Sequence, residues 1–451
     1  MKLLQRMPAS HWSSTPLARI VSPMQKFIGQ EASSGVILLA MTLIALLLAN
    51  SPLAADYFAI LETEVGISIG TFELHESVLH WINDGLMVIF FFVVGLEIKR
   101  ELIVGELASL RAASLPIIAA CGGVIMPATI YTLFNAGGSG AHGWAVPTAT
   151  DIAFAIGCMA LLGSRVPFGL KIFLTAVAIV DDLIAVLVIA LFYTSELNLS
   201  ALGIGLAFWL VLLAANMYGI RNRIVYASIG VLIWLTFLRS GVHATIAGVL
   251  IAFTVPSRYR IDAPTFLERA RSLLAHFEQG NFAKTPMLTD ETQQGAVIEL
   301  EELCEQVQAP LQKFEHSLHG WVALLIMPLF ALANAGVPLA LNTLSGETSW
   351  VAIGVILGLV LGKPIGLIGA TWLTVRFGIA DLPQGATWRH MIGMGMLAGI
   401  GFTMSLFIAT LGFSDATLLD TAKLSVLIGS LISGTCGLLW LSRMRPASES
   451  A

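Results

Sequence analysis

Charged residues are scarce in this chain. Asp, Glu, Lys and Arg make up 12% of its 451 residues, whereas an average soluble domain has about 25%. Hydrophobic residues make up 56%, and the mean hydropathy is +0.83. The composition excludes an ordinary soluble domain and indicates a polytopic membrane protein, which has the lipid bilayer and not nucleic acid as its partner. The net charge of -5 is uninformative, because the placement of charges matters more than their sum in such a chain.

Cysteine is rare as well. The four cysteines show no spacing typical of metal ligands, and three of them lie in apolar segments. A disulfide framework is therefore not expected, and small buried residues are the better interpretation. We also expect no bound cofactor. The cysteines are Cys121, Cys158, Cys304 and Cys436.

Long apolar runs, in contrast, fill most of the sequence. A helix needs about 20 mainly apolar residues to cross the hydrocarbon core of a bilayer. By this criterion the sequence predicts an all-α polytopic fold with about twelve membrane-spanning helices. The runs are 33–52, 77–98, 113–134, 143–162, 170–194, 200–217, 223–238, 241–255, 319–338, 349–373, 389–412 and 421–442.

The basic residues predict the orientation. Cytoplasmic loops of membrane proteins carry an excess of Lys and Arg. With both termini in the cytoplasm, every basic residue falls on that side except Arg239, Lys423 and Lys363. The chain then divides into a cytoplasmic segment (1–32), spans 1 to 8 (33–255), a charged cytoplasmic insert (256–318), spans 9 to 12 (319–442) and a cytoplasmic tail (443–451).

Two segments outside the membrane have their own patterns. Residues 62–75 alternate apolar and polar side chains around Gly70-Thr71, which predicts a β-hairpin in the first outside loop. An isolated hairpin is marginal in water, so it either pairs with another element, such as a second protomer, or is a plain structured loop. The insert predicts two amphipathic helices and serves as a solvated spacer or as a tether. Their apolar faces carry Leu267, Ala270, Arg271 and Leu274, then Val297, Leu300, Leu303 and Val307.

Four charged residues lie inside predicted spans: Asp151, Asp181, Asp182 and Lys363. A charge at the centre of a spanning helix costs about 2.5–3.5 kcal/mol on insertion scales, so such residues are usually functional or paired. A buried ion pair that joins two helices is the structural alternative for any one of them. Four charges at similar depth favour an ion-binding function.

The adjacent aspartates must have different neighbours. Consecutive helical residues point about 100° apart, so Asp181 and Asp182 cannot both face one partner. We expect one to meet the ion pathway and the other to meet a neighbouring helix, where Lys363 is the intramembrane cation available for pairing. Glycines at every fourth position around Lys363 predict a face that another backbone approaches closely. They are Gly354, Gly358, Gly362 and Gly366.

Two predicted spans look broken. Irregular backbone at membrane depth must line a cavity or be buried in protein, and one interrupted segment in each half indicates a transporter's ion site near the midplane. Half-helix ends carry partial charges, which Asp151 and Lys363 would relieve at N- and C-terminal ends respectively. The interruptions contain Pro147, Thr148, Thr150 and Asp151 in the first segment, and Gly393, Gly395, Gly399, Gly401, Thr403 and Ser405 in the second.

Seven stretches resemble the NhaA family of sodium/proton antiporters. They are WINDGLMVIFFFVVGLEIKREL (81–102), GWAVPTATDIAFAIGCMALLGSRVP (143–167), LKIFLTAVAIVDDL (170–183), LRSGVHATIAGVL (238–250), MPLFALANAGV (327–337), GKPIG (362–366) and GIGFTMSLFIA (399–409). The resemblance implies a transporter rather than an enzyme, with inverted repeats and two discontinuous helices in a bacterial inner membrane. It also implies a homodimer joined through the hairpin, and electrogenic, pH-regulated exchange of sodium or lithium for more than one proton. Such exchange serves sodium extrusion and pH homeostasis.

The resemblance also implies roles for single residues. Asp182 resembles the family's essential ion-binding carboxylate, and Asp181 matches the adjacent acid that pairs with the position of Lys363. Thr150 and Asp151 match the crossing of the broken helices. A pH-sensing cluster at the cytoplasmic edge is matched by Glu97, Arg100, Glu101, Glu315, His316 and His319.

Elementary chemistry agrees with an ion site but not with every role. Small hard cations prefer oxygen ligands, which carboxylates, hydroxyls and unwound carbonyls supply. A site that holds either sodium or protons, but not both, must exchange them at each crossing. At the cytoplasmic edge, however, Glu97, Arg100 and Glu101 also have the spacing of ordinary surface pairs, and a histidine is a switch only if its surroundings make it one.

Two other functions use similar residues. An intramembrane aspartyl protease needs two aspartates on neighbouring helices, as Asp151 and Asp182 could be, but its expected Gly-x-Gly-Asp signature is replaced by VDD and TATD. A cation channel needs a continuous pore, and the sequence has nothing that resembles a repeated selectivity filter. Both rank below exchange.

Overall fold

The computed structural model describes residues 31–69, 72–194, 197–278, 291–339 and 348–444. Helices dominate these residues, and one two-stranded sheet accompanies them. Within the described residues, seven helices are long and apolar enough to cross a membrane, or up to nine if each of two bent pairs is one span. The predicted all-α polytopic membrane fold with a small hairpin is thus confirmed.

The described elements follow one another in this order. The helices are α1 (Glu31–Ala49), α2 (Ala54–Glu62), α3 (Met87–Val104), α4 (Leu110–Asn135), α5 (Ile152–Leu161), α6 (Phe168–Phe192), α7 (Leu199–Met217), α8 (Arg223–Leu238), α9 (Thr245–Thr254), α10 (Ala263–Glu278), α11 (Glu291–Val307), α12 (Pro310–Trp321), α13 (Met327–Asn334), α14 (Thr348–Leu357), α15 (Lys363–Arg376), α16 (Trp388–Ala398), α17 (Phe402–Gly412) and α18 (Ala416–Ser442). The strands are β1 (Glu64–Ile69) and β2 (Phe72–Ser77). Shorter pieces are the turn Val78–His80, the 3-10 segments Ala141–Thr148 and Gly163–Arg165, and the π turns Trp81–Leu86, Val322–Ile326 and Gly358–Gly362.

Each of the twelve predicted apolar runs coincides with a helical segment. The helix α3 is not among the seven, because its C-terminal half carries four charged residues, Glu97, Lys99, Arg100 and Glu101. The helices α8 and α9 are apolar but short. Hydropathy therefore located helical segments in every case, and the structure supplies their bounds.

Contacts divide the chain into two units. The first comprises the chain up to Met87, Val104–Tyr193 and the residues from Val322 onwards. The second comprises Val88–Ile103 and Thr194–Trp321. The four charged residues of the predicted ion site all belong to the first unit, and the predicted pH-sensing residues all belong to the second.

Close packing of α15 on α4 organises the first unit. A Cβ at Gly366 would lie 2.0 Å from the carbonyl oxygen of Gly122, and one at Gly362 would lie 2.8 Å from Cα of Pro127. Gly354 and Gly358 meet Asn135 and Pro147 in the same way. The predicted glycine face is therefore confirmed, and it brings Lys363 against the first broken segment.

Both predicted helix breaks are present. The first lies between the 3-10 segment Ala141–Thr148 and α5, where Asp151 has an extended backbone (φ -84°, ψ 100°). The second lies between α16 and α17, which are bent by 44°.

The predicted second interruption was too wide. Gly393 and Gly395 lie inside α16. A Cβ at Gly393 would meet Leu441 at 2.5 Å, and one at Gly395 would meet Ile368 at 2.9 Å. These two glycines admit neighbouring helices, and only Gly399 and Gly401 belong to the break.

The predicted hairpin is also confirmed, with an end two residues later than expected. The strands are antiparallel, and Val65 faces Glu76 while Gly66 faces His75. Ser77 ends the second strand and accepts a hydrogen bond from the backbone N–H of His80.

The second unit contains α3 from Val88 to Ile103 and α7 to α12. A Cβ at Gly248 of α9 would lie 2.3 Å from the carbonyl oxygen of Val88, so α3 and α9 cross at close range. The two amphipathic helices predicted in the insert are α10 and α11, which pack against each other. On their predicted apolar faces, Leu303 is buried, whereas Leu267 and Leu274 are about half exposed.

Candidate ion-binding site

The two helix breaks lie against each other in the first unit. The backbone N–H of Asp151 donates to the carbonyl oxygen of Ile400 at 2.7 Å. The hydroxyl of Thr150 lies 2.8 Å from the carbonyl oxygen of Ala398. Each break therefore satisfies polar backbone groups of the other, as buried irregular backbone requires.

Asp151 joins the N-termini of two half-helices. One of its carboxylate oxygens accepts from the backbone N–H of Phe154 in α5 at 3.0 Å. The other accepts from the backbone N–H of Thr403 in α17 at 3.2 Å and from the Thr403 hydroxyl. Because helix N-termini carry partial positive charge, this carboxylate is stabilised from both sides although it is only 1% exposed.

Lys363 lies at a C-terminal helix end, whereas Asp151 lies at N-terminal ends. Its side chain is fully buried, and its ammonium donates to the carbonyl oxygen of Thr148, the last residue of the 3-10 segment. The ammonium also donates to Oδ2 of Asp181 at 2.5 Å. The structure therefore gives Lys363 both a helix C-terminal end and a carboxylate as partners.

Asp181 is shared between Lys363 and Thr150. The Thr150 hydroxyl lies 2.9 Å from the same Oδ2 atom, while Oδ1 accepts no hydrogen bond from any described residue. A hydroxyl has one proton and two lone pairs, so Thr150 donates either to Asp181 or to Ala398 at any one time. When it donates to Ala398, a lone pair can face a cation.

Asp182 follows on α6 and is 1% exposed. Its helical position turns it about 100° away from Asp181, and the hydrogen bond that Lys363 donates to this helix goes to Asp181. The structure thus separates the adjacent acids as expected, and it assigns the lysine to the first. The oxygen atoms of the two carboxylates and of Thr150 form a donor set suited to a small hard cation.

The sequence did not single out Thr403 as a partner of Asp151. A hydroxyl residue directly after a glycine break was the available signal, because the first N–H groups of a helix need acceptors. The carbonyls of Thr148, Ala398 and Ile400 had no such signal, since any residue supplies a carbonyl.

The predicted cytoplasmic cluster is partly assembled in the second unit. Arg100 donates to Glu315, and its other terminal nitrogen lies 3.2 Å from Glu101. Glu97 is close enough to interact electrostatically with Arg100, Glu101 and Glu315. These four residues connect α3 to α12.

The two histidines of the predicted pH-sensing cluster are not bonded to its other residues within the described part of the chain. His316 and His319 are exposed on α12, and within the described part of the chain no hydrogen bond or ion pair joins either ring to the other four residues.

Lys99, which the sequence did not single out, donates to the carbonyl oxygens of Phe253 at 2.7 Å and Val255 at 2.5 Å, at the C-terminal end of α9.

The chain is similar over most of its length to known sodium/proton antiporters. The family described as Na+/H+ antiporter 1 matches residues 25–441. A protein named Na(+)/H(+) antiporter NhaA from Oleidesulfovibrio alaskensis is 49% identical over 422 residues, which cover 94% of each chain. NhaA from Koribacter versatilis is 48% identical over 441 residues, which cover 96% of this chain and 94% of the relative. A protein named NhaA 1 from Saccharophagus degradans is 46% identical over 439 residues, which cover 97% of this chain and 94% of the relative.

Proposed function

The chain belongs to the Na+/H+ antiporter 1 family, and we propose that it exchanges sodium or lithium for protons at the carboxylates of Asp181 and Asp182. As a member of this family it is a multi-pass membrane transporter of sodium and protons. One observation supports the site above all. A buried aspartate is bonded at once to a buried lysine and to a hydroxyl that has an alternative acceptor.

The exchange follows from competition for the carboxylates. A sodium ion needs charged carboxylate oxygens and the Thr150 lone pair, so it replaces the bond from Lys363 to Asp181. Protons that bind to the same carboxylates remove the charge that attracts sodium. In this proposal both adjacent carboxylates, which titrate as a pair, release a proton when one sodium ion binds, and this makes the exchange electrogenic.

Asp151 and Lys363 compensate the broken helices in this proposal. Asp151 neutralises the partial positive charge at the starts of α5 and α17, and Lys363 neutralises the partial negative charge at the end of the 3-10 segment. Without these two side chains, three half-helix ends would keep their partial charges at membrane depth. The site could then change its protonation state only at a higher cost.

The membrane location and the orientation of the transporter form a further part of the proposal. We place it in the bacterial inner membrane with twelve spans and with both termini in the cytoplasm. The supporting observation is the distribution of Lys and Arg along the sequence. In this orientation the insert that contains α10 and α11 is cytoplasmic, and sodium leaves the cell as protons enter.

We also propose that two copies associate through the hairpin. A two-stranded sheet is marginal by itself, and within the described residues each strand pairs on one side only. Val65 on the first strand is 48% exposed. Strand addition between two hairpins would use these edges.

Regulation by pH is the last part of the proposal. Glu97, Arg100, Glu101 and Glu315 link α3 to α12 through charged groups, so a change of protonation there would alter how these helices are held. His316 and His319 are exposed on the same helix as Glu315. Together these six residues are the proposed pH sensor.

The decisive experiment measures sodium-driven proton movement in proteoliposomes that hold a set pH difference, scanned from about pH 6.5 to 9, a range that includes the ordinary titration of histidine. The parent chain is compared with Asp182→Asn, because an amide cannot bind and release a proton as a carboxylate does. Asp381→Asn, in an exposed loop before α16, is the matched control. We expect sodium to collapse the pH difference for the parent and the control only.

Two outcomes would contradict the proposal. Activity retained by folded and inserted Asp182→Asn would remove this residue from the site. A parent chain that is inserted and folded but unresponsive to sodium at every pH would remove antiport itself. The protease and channel alternatives receive no support from the matched family or relatives, whose names are those of antiporters.

A further inference from the structure

We propose that Ser430 of α18 is a positioning residue that fixes the start of α17 and thereby the partners of Asp151 and Thr150. This inference rests on the proposed antiport and adds a residue to its site. Nothing in the sequence patterns points to Ser430, which lies within an apolar predicted span.

The start of α17 needs acceptors from elsewhere. The first N–H groups of a helix have no partner inside that helix, and the residue before it usually supplies a side-chain cap. That residue is Gly401, which has no side chain. Instead, the backbone N–H of Phe402 donates to the hydroxyl oxygen of Ser430 at 3.0 Å, and the next N–H, that of Thr403, donates to Asp151 at 3.2 Å.

Burial makes the Ser430 acceptor difficult to replace. Ser430 is 7% exposed and Phe402 is 5% exposed. A buried N–H that loses its acceptor also loses the compensation for leaving water. The neighbouring backbone is tightly enclosed, because a Cβ at Gly399 would lie 2.6 Å from the hydroxyl of Ser433, one turn further along α18.

The capped N–H is directly connected to the ion site. Four residues before Phe402, the carbonyl of Ala398 is one of the two acceptors of the Thr150 hydroxyl, and the carbonyl of Ile400 accepts from the N–H of Asp151. The ring of Phe402 packs edge to face on that of Phe154, with centroids 5.8 Å apart. A displaced start of α17 would therefore move acceptors of both Thr150 and Asp151.

The expected consequence concerns affinity more than rate. If the Ala398 carbonyl moves, the Thr150 hydroxyl loses the acceptor that leaves its lone pair free for a cation. Sodium binding then becomes weaker, while the crossing of a loaded site is little changed. A serine that only stabilised the helix packing would instead lower the amount of active protein and leave the apparent KM for sodium unchanged.

The test compares variants at position 430 with a second buried serine of the same helix. The hydroxyl of Ser425 donates to the carbonyl of Thr421 within α18 at 2.6 Å, so Ser425→Ala removes a buried hydroxyl without touching the break. Ser430→Ala removes the acceptor, and Ser430→Thr retains it. The readouts are the apparent KM for sodium, Vmax and the pH profile in proteoliposomes, together with the melting temperature.

We expect Ser430→Ala to raise the apparent KM for sodium by about three- to tenfold, the effect of one lost hydrogen bond, and to shift the pH profile. Vmax should stay within about twofold of the parent, because a twofold change corresponds to less free energy than one hydrogen bond contributes. Ser430→Thr and Ser425→Ala should both keep the parental KM.

Three results would overturn the inference: a parental KM and pH profile for Ser430→Ala, a loss confined to Vmax and melting temperature, or an equal rise in KM for Ser425→Ala. If Ser430→Ala fails to insert, Ser430→Cys replaces it under the same criteria, because a thiol is a weaker acceptor. A parent chain without any response to sodium would overturn the proposed function instead, so the two failures are distinguishable.

Discussion

At the scale of single residues, the ion site consists of charged side chains, each of which would cost free energy to bury without a partner. Asp181 and Lys363 are both buried, and they neutralise each other across a 2.5 Å hydrogen bond. Such a pair costs free energy to desolvate, but removal of one partner costs more, because it leaves an uncompensated buried charge. The same pair is therefore important to stability and available for exchange with an ion.

This argument predicts the effect of Lys363→Ala. The variant should lose about 3–5 kcal/mol of stability, the typical cost of breaking a buried ion pair, and should show an altered pH profile of transport. The double variant Lys363→Ala/Asp181→Asn should recover part of the melting temperature, because it no longer buries an unpaired carboxylate. Thermal unfolding in detergent measures both effects. A parental melting temperature and pH profile for Lys363→Ala would contradict the role of the pair.

The residue scale is also where sequence-based prediction was least complete. Asp151, Asp181, Asp182 and Lys363 were predicted because a charge inside an apolar run is conspicuous. Of their neutral partners Thr150 was predicted, but the pairing of Thr403 with Asp151 was not, and neither was the role of Ser430, since a hydroxyl side chain is ordinary in any helix. Only the packing of α18 against the start of α17 brings Ser430 to the N–H of Phe402.

At the scale of elements, glycine has two different uses that the sequence does not distinguish. At Gly399 and Gly401 the chain leaves the helix, whereas Gly393 and Gly395 allow other helices to approach an unbroken one. A glycine pattern predicts small side chains on a face, but whether the backbone bends there depends on the acceptors that its neighbours offer. The apolar helices themselves were predictable, because hydropathy depends only on local sequence.

The close approach of α15 to α4 can be tested with two glycines of one helix. A methyl group at Gly366 would meet the carbonyl of Gly122, so Gly366→Ala should cost about 1–3 kcal/mol through overpacking. At Gly369, one turn away, no atom lies within 4 Å of an added Cβ. Gly369→Ala should therefore leave stability unchanged or raise it by up to about 1 kcal/mol through helix propensity. Melting temperatures compare the two, and equal losses would show that packing at this face does not set stability.

At the scale of the whole molecule, the insert is the part of the chain least tied to transport in our proposal. The backbone N–H of Arg260 donates to the carbonyl oxygen of Gln306 at 3.0 Å, so the two ends of the insert helices lie together. A second bond, from the N–H of Leu311 to the carbonyl of Pro256, lies outside that segment and holds the junction.

Removal of residues 261–305 with a short glycine linker should consequently leave a folded transporter. We expect at least about half of the parental exchange rate, since surface insertions with adjacent ends tolerate excision. The proteoliposome assay over the full pH range is the measurement, and insertion into the membrane is its control. Complete loss of exchange in a folded deletion variant would show that the insert takes part in transport.

The bonds of the ion site also have a consequence for the biogenesis of the protein. Asp181 precedes Lys363 by 182 residues, and Asp151 precedes Thr403 by 252. During synthesis, both aspartates therefore enter the membrane long before Lys363 and Thr403 have been translated, although Thr150 and Phe154 are already present. Their insertion must depend on neighbouring helices, on protonation or on the translocation machinery until the last spans arrive. The ion site is completed only after Thr403 has been translated, so a chain truncated before Lys363 carries the acids without these two partners.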